Sequence, residues 1–299
     1  MQTIDAFDRE FHDEESCKKF LVSMRWPDGV RCPRCKSAER IYALKARPFH
    51  WVCCNKGCGE RRGYRFSVIT KTIFENTKIP LKLWFKVAFL ILTAKKGISA
   101  LQVHRVIFGE ESTHAYHTSW YVCMRWRAAM NGDVMPLTGE VEIDETFVGG
   151  KARNMHAKQR KNLVGTKNKV AVIGAIARKG MIIAKVIENT DTATLDKFVR
   201  QSVSTQAKLV ATDEHSGYRL LGADYDHRVV NHTRGEYVVG TTHTNSIESF
   251  WSLFKRGIIG SYHKVSKQYL PLYVNEFAWR FNNRKNPAMF ADLIQSVSR

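Results

Sequence analysis

The sequence is short of acids, with 28 aspartates and glutamates against 47 lysines and arginines, and it contains no apolar run long enough to cross a bilayer. Its longest apolar stretch, residues 83–94, is interrupted by Lys86. It falls short of the roughly 17 to 25 residues that span a membrane, so a buried core helix is expected there. The start of the chain also lacks the cationic segment of a secretory signal. It carries Asp5, Asp8, Glu10, Asp13, Glu14 and Glu15 against a lone Arg9. These absences predict a protein that works in the cytoplasm and has no membrane partner.

The acid shortage leaves a formal charge of +19 and an isoelectric point near 9.7. A positive field of that size attracts polyanions, which makes nucleic acid the expected partner. An apolar content of 44% with 11% aromatics excludes a chain that is disordered throughout. A length of 299 residues exceeds one average domain. Seven cysteines in a reducing compartment point to metal binding rather than disulfides.

Three parts can be drawn along the chain: residues 1–75, 76–135 and 136–299. The first holds six of the seven cysteines and shows no long periodic helix, so a bound metal is expected to stabilise it. Cys32 and Cys35 form a two-residue-spaced pair, and Cys53 with Cys58 makes a second, a ligand set for structural Zn2+. Cys54 is an alternative to Cys53, and His50 an alternative to a thiolate. Cys17 and Cys123 read as small core residues.

In the second part, Pro80 suits the first turn of an apolar helix. Ser99 and Gln102 then form a capping box opening a helix over 100–107. A further helix follows the Gly109 break over 114–130, with Tyr116, Trp120, Cys123 and Met124 on its apolar stripe and Arg125 and Arg127 facing solvent. This pattern resembles a helix-turn-helix whose last helix enters the major groove; three packed helices with no DNA role are the alternative.

From Glu140 the pattern becomes that of a mixed α/β core, with strands over 140–148, 169–177, 181–187 and 208–212. Helices are expected over 193–203, 245–256 and 267–282. Residues 151–167 read as a basic loop, in a stretch to residue 180 that has nine lysines or arginines and no acid. In the strand 140–148, Val141, Ile143 and Phe147 fall on one face and Glu142 and Asp144 on the other, with Glu145 opposite Asp144. Asp213 follows another strand at its carboxyl end, where ligand sites in α/β sheets gather. Glu248 opens a helix on which Lys255 lies two turns later on nearly the same side. Carboxylates brought together in this way repel one another, and hard Mg2+ or Mn2+ ions relieve that repulsion.

The run Arg25-Trp-Pro-Asp-Gly-Val-Arg-Cys-Pro-Arg-Cys35, with Arg65-Phe-Ser-Val68, Thr72-Ile-Phe-Glu75, Glu142-Ile-Asp-Glu-Thr146, His243-Thr-Asn-Ser-Ile-Glu248, Trp251, Lys255-Arg-Gly257 and Tyr262-His263, resembles the DDE transposases of bacterial insertion sequences. The likeness is to the zinc-ribbon, ISXO-like group related to eukaryotic Merlin elements, and it covers nearly the whole chain. It implies a zinc ribbon and a helix-turn-helix ahead of a ribonuclease-H-like catalytic core. It also implies that Asp144, Asp213 and Glu248 hold Mg2+ (or Mn2+) and catalyse strand cleavage and transfer, and it selects the aspartate in each of the pairs Asp144-Glu145 and Asp213-Glu214. Lys255, Arg256, Arg125 and Arg127 are the expected DNA contacts. The implied partners are double-stranded DNA, at the element ends and at the target, and further copies of the chain in a dimer or higher oligomer, on the bacterial nucleoid. A nuclease or resolvase with the same core, and a noncatalytic DNA-binding regulator, are the rival readings.

Overall fold

The computed structural model describes residues 3–59, 63–109, 114–132, 134–150, 169–230 and 243–297. The expected basic loop, residues 151–167, lies outside them. The chain forms two compact units, one of residues 1–94, 100–129 and 286–299, the other of residues 95–99 and 130–285.

The first unit opens with α1 (Ile4–Glu10) and α2 (Glu14–Arg25). The second of these corrects the expectation that residues 1–75 hold no long helix. Its start is fixed by a reciprocal capping box: Ser16 N donates to Asp13 Oδ1 at 2.7 Å and Asp13 N to Ser16 Oγ at 3.2 Å. Only Cys17 and Leu21 are fully buried along it, so its apolar stripe is too narrow to stand out in the sequence. Phe11 and Phe20 pack against Phe85 of α3 (Leu81–Thr93) and Phe290 of α9 (Met289–Ser296). The carboxyl-terminal helix thus belongs to the first unit, although the sequence reading runs the third part to residue 299. Between these helices, β1 (Ile41–Ala43), β2 (His50–Cys53) and β3 (Tyr64–Ser67) form a small antiparallel sheet.

The helix at Ala100–Val103 (α4) widens into a π-type turn at 104–108 and ends at Gly109, whose φ of +80° favours glycine. The next helix, α5 (Tyr116–Ala129), buries Ser119, Val122, Cys123, Trp126 and Arg127, a face spaced i, i+3, i+4, i+7, i+8, with Met124 buried beside it. Trp126 sets that face by donating its indole N–H to Trp84 O at 3.1 Å. The expected exposure of Arg127 is therefore corrected: it is 1% exposed, and its Nη1 lies 3.5 Å from Met124 Sδ. Arg125 is half-buried and donates to Ile73 O at 3.1 Å.

In the second unit, β4 (Glu140–Val148), β5 (Val170–Ala177), β6 (Ile182–Ile187), β7 (Leu209–Thr212) and β8 (His227–Val229) form one mixed sheet in the order β6-β5-β4-β7-β8. Strands β4, β5 and β6 are antiparallel neighbours, while β7 runs parallel to β4 and to β8. Strand β8 has three residues, two of them exposed, and no alternation by which the sequence could reveal it. Val141 and Ile143 of β4 pack with Leu195, Phe198 and Val199 of α6 (Thr192–Ser202). The opposite side of β4 and β5 receives α7 (Asn245–Arg256), whose buried face is Ile247, Phe250, Trp251 and Phe254. Then α8 (Leu270–Asn282) lies along β6, pinned by the two-way bonding of Asn282 with Ile182 at 2.7 and 2.9 Å.

Candidate functional site

The four cysteines of the two expected pairs converge in the first unit. A tight turn with Lys36 at φ +62° brings Cys35 back toward Cys32, and β2 delivers Cys53. The Sγ atoms of Cys32, Cys35, Cys53 and Cys58 all lie within 4.8 Å of one another, with Cys32 and Cys58 at 3.3 Å and Cys35 and Cys53 at 3.7 Å. Ligands about 2.3 Å from a tetrahedral Zn2+ stand about 3.8 Å apart, so the set fits that ion. A backbone hydrogen bond from Ser37, foremost, lowers the Cys35 thiol to about 6, whereas burial, foremost, raises the Cys53 and Cys58 thiols. Asn55 Nδ2 reaches Cys53 Sγ at 3.4 Å and Cys35 Sγ at 3.7 Å. Cys54 and His50 are exposed and stand outside the cluster, while Cys17 and Cys123 are fully buried.

In the second unit, β4 and β7 run parallel with Glu142 opposite Ala211. Asp144 and Asp213 each lie two residues beyond that last pair, so the shared register carries both carboxyl groups to the same sheet end. Asp144, Glu145 and Asp213 offer oxygens within 4.8 Å of one another. Strand parity puts Glu145 on the far face from Asp144, and its cross-strand neighbour Ile173 and its hydrogen-bond partner Tyr218 both belong to that face. Among the described residues the pairing of β4 with β7 stops at Glu142, and the longer glutamate arm still brings the Glu145 carboxyl group into the acid cluster. Tyr218 donates its hydroxyl to Glu145 Oε1 at 2.6 Å. Glu248 is exposed and does not join this three-acid set; its Oε1 accepts from Thr244 Oγ1 at 2.7 Å. It does share with Asp144 a groove of about 870 Å³, also lined by Lys96, Trp251, Lys255 and Arg256. Glu214 is exposed and outside the cluster.

Two features set α7 against the acids. Gly174 is paired with Asp144 across β4 and β5, and a Cβ there would stand 2.8 Å from Trp251 and 3.1 Å from Ile247. The bare backbone lets both side chains lie on the sheet. Glu142 is fully buried and accepts from Ser246 N at 2.7 Å, Ser246 Oγ at 2.9 Å, Ile247 N at 3.1 Å and Arg178 Nε at 2.8 Å. The sequence marked Glu142 as part of a polar face; its partners lie 36 to 105 residues away, beyond the reach of local pattern.

Burial pushes the Asp144 carboxyl up to about 7, and the charges of Glu145, Asp213 and Glu248 push the same way. Burial likewise raises Glu145 to about 7, with the Tyr218 hydrogen bond opposing and Asp213 adding to the rise. Between the ordinary carboxylate range near 4 and about 7, the folded chain holds protons that the unfolded chain has released. The stability from these two groups is therefore fully present below about pH 4 and is lost as pH rises through 7. Metal-free protein should show a melting temperature that falls from about pH 5 to pH 8. The double variant Asp144→Asn/Glu145→Gln should flatten the slope, and Mn2+ should restore stability at the alkaline end. Equal slopes for the two proteins would contradict this origin.

Fold and site together define a two-unit protein with a four-cysteine ribbon in one unit and, in the other, an acidic cluster on a mixed α/β sheet beside a basic groove. Residues 136–282 match the ISXO2-like transposase domain, and residues 12–67 match the transposase zinc-ribbon domain. The chain belongs to this family of transposases. It is 27% identical over 283 residues to an uncharacterized protein in transposable element ISH50 of Halobacterium salinarum, covering 91% of this chain and 92% of that one. It is 28% identical over 120 residues to an uncharacterized transposase-like protein of Haemophilus influenzae, covering 40% of this chain and 95% of the relative. Among solved structures, a chain of the simian T-cell lymphotropic virus intasome in complex with PP2A regulatory subunit B56 gamma matches at 11% identity and a TM-score of 0.28, covering 65% of each chain. That likeness is too weak to bear on the fold. Among the described residues no helix is long and apolar enough to cross a membrane.

Proposed function

We propose that this chain binds the ends of an insertion sequence and catalyses DNA strand cleavage and strand transfer, with Asp144, Asp213 and Glu248 as its reacting acids. The observation that carries the reading is the meeting of Asp144 and Asp213 at adjacent strand ends, with Asp144 opening onto a groove that it shares with Glu248 and that Lys96, Lys255 and Arg256 also line. The three parts 1–75, 76–135 and 136–299 serve as zinc ribbon, helix-turn-helix and ribonuclease-H-like core, except that α9 of the last part packs with the first unit. The central strand carrying one acid and the parallel neighbour carrying the next support the last of these. We assign Zn2+ to Cys32, Cys35, Cys53 and Cys58.

The carboxylate oxygens are a hard donor set that fits Mg2+ or Mn2+. Such ions, when bound, supply the charge that stabilises the attacking and leaving oxygens of in-line displacement at phosphorus. The acids provide the negative site that holds them. Lys255 and Arg256, on the side of α7 that carries Glu248, hold the phosphate backbone across the groove. In cleavage, the oxygen of water joins phosphorus, and the bond to the 3′ oxygen breaks to leave a 3′-hydroxyl. In transfer, that hydroxyl attacks a target phosphodiester, so one bond forms as one breaks. Since an element has two ends, the working form is at least a dimer on DNA.

The DNA flanking the gene names the substrate through its matching inverted repeats. A duplex bearing one repeat should be nicked at its border in Mg2+ and then joined to target DNA, whereas an unrelated duplex should not. Nicking without any joined product, over a range of Mg2+ and Mn2+ concentrations, would make the chain a nuclease or resolvase instead.

A further inference from the structure

We propose that Glu142 is a positioning residue that fixes Glu248 relative to Asp144 by capping α7 from within the sheet. The proposal rests on reading Asp144, Asp213 and Glu248 as the acids of the reaction. A buried carboxyl group is costly unless its oxygens are fully bonded, and those of Glu142, at 0% exposure, are surrounded. Oε2 receives the backbone N–H groups of Ser246 and Ile247, and Oε1 receives Ser246 Oγ and Arg178 Nε. His243 Nδ1 stands 3.1 Å from Oε1.

The N–H groups of Ser246 and Ile247 are among the first-turn donors that a helix leaves without an intrahelical partner. A residue at the helix start usually supplies the cap through its own side chain. In α7 the residue there, Thr244, makes no side-chain cap bond, and its hydroxyl donates instead to Glu248 Oε1. The cap comes from a strand residue 104 positions away. Two consequences follow for the site. Glu142 and Asp144 are two apart on one strand, so they project from the same face, and the anchor of α7 stands directly beside a reacting acid. Glu248 begins less than one turn beyond the anchored N–H groups, so the anchor sets where its carboxyl group falls. Arg178 tightens the arrangement, because its Nη2 also donates to His243 O at 3.1 Å and holds the segment leading into α7.

The test is a double-variant cycle read by cleavage of the end-bearing duplex against Mg2+ concentration. Glu142→Gln keeps the side-chain size but sets an amide N–H against donors. It should raise the Mg2+ concentration for half-maximal cleavage about tenfold or more and lower the saturated rate. Combined with Glu248→Asp, which shortens the arm while keeping its charge, it should cost little further, since both changes misplace one carboxyl group. Losses that multiply, or a folded Glu142→Gln with the wild-type Mg2+ curve, would overturn the proposal. If Glu142→Gln does not fold, Ser246→Ala removes only the hydroxyl contact. It should raise the Mg2+ requirement a few-fold and show the same non-additivity, and an unchanged curve for it would also overturn the proposal. Glu248→Gln measured alone separates the two levels. Full activity there rejects the three-acid reading itself, whereas its inactivity beside multiplying losses rejects only the anchor.

Discussion

Asp144→Asn and Asp213→Asn should each reduce cleavage and joining of an element end about a thousandfold or more, while binding of the same DNA stays close to wild type. Both substitutions keep the side-chain volume and one carbonyl oxygen. In Asp144→Asn that oxygen can still accept the Glu145 backbone N–H that Asp144 Oδ1 takes at 2.8 Å. What disappears is a negative charge, in a cluster whose oxygens lie within 4.8 Å of one another. Residues that act as a unit give losses that do not add, so the double variant should be hardly worse than either single one. Cleavage by either single variant within tenfold of wild type would remove that residue from the chemistry.

Cys32→Ser should lose the zinc, about one ion per chain in the wild type, and with it end-specific binding. Structural zinc is worth about 10 to 16 kcal/mol in small zinc-binding peptides, as much as the whole stability of many domains. The ribbon has little to set against such a loss: three strands of three or four residues and a small aromatic cluster of Trp26, Trp51 and Phe66. Cys54→Ser should keep the metal, because Cys54 is exposed and outside the cluster. Metal analysis decides the matter. Zinc retained by Cys32→Ser, or lost from Cys54→Ser, would move the ligand set.

How much of this was legible in the sequence depends on the range of the forces at work. The bounds of β4 and α7 matched the expectation residue for residue, since alternation over 140–148 and the i, i+3, i+4 spacing of Ile247, Phe250, Trp251 and Phe254 are local signals. The cysteine pairs were legible by spacing, although only folding separates Cys53 from Cys54. On α5 the expected Cys123 and Met124 are buried, but Tyr116 is exposed and Trp120 half-buried, because Trp126 fixes the buried face through a bond to Trp84, 42 residues away. The same holds at the site. The reach of Glu145 to Tyr218, the cleft that Gly174 opens for Trp251 and the capping of α7 by Glu142 all join residues more than 70 positions apart. No periodicity encodes them. The capping box that opens α2 was, by contrast, written in Asp13 and Ser16 and simply outweighed by a weak apolar stripe.

The geometry itself poses the sharpest question, since Glu145 stands among the clustered acids while Glu248 faces them from the groove. The most direct test is to compare the single-turnover cleavage rates of Glu248→Gln and Glu145→Gln on the same end-bearing duplex at saturating Mg2+. Glutamine keeps the length of each arm and, at position 248, can still accept the Thr244 hydroxyl, so that local contact is preserved and the Glu142 cap of α7 is untouched. The account predicts a loss of about a hundredfold or more for Glu248→Gln and a loss within about tenfold for Glu145→Gln. Near wild-type cleavage by Glu248→Gln together with collapse of Glu145→Gln would contradict it and make Glu145 the third acid.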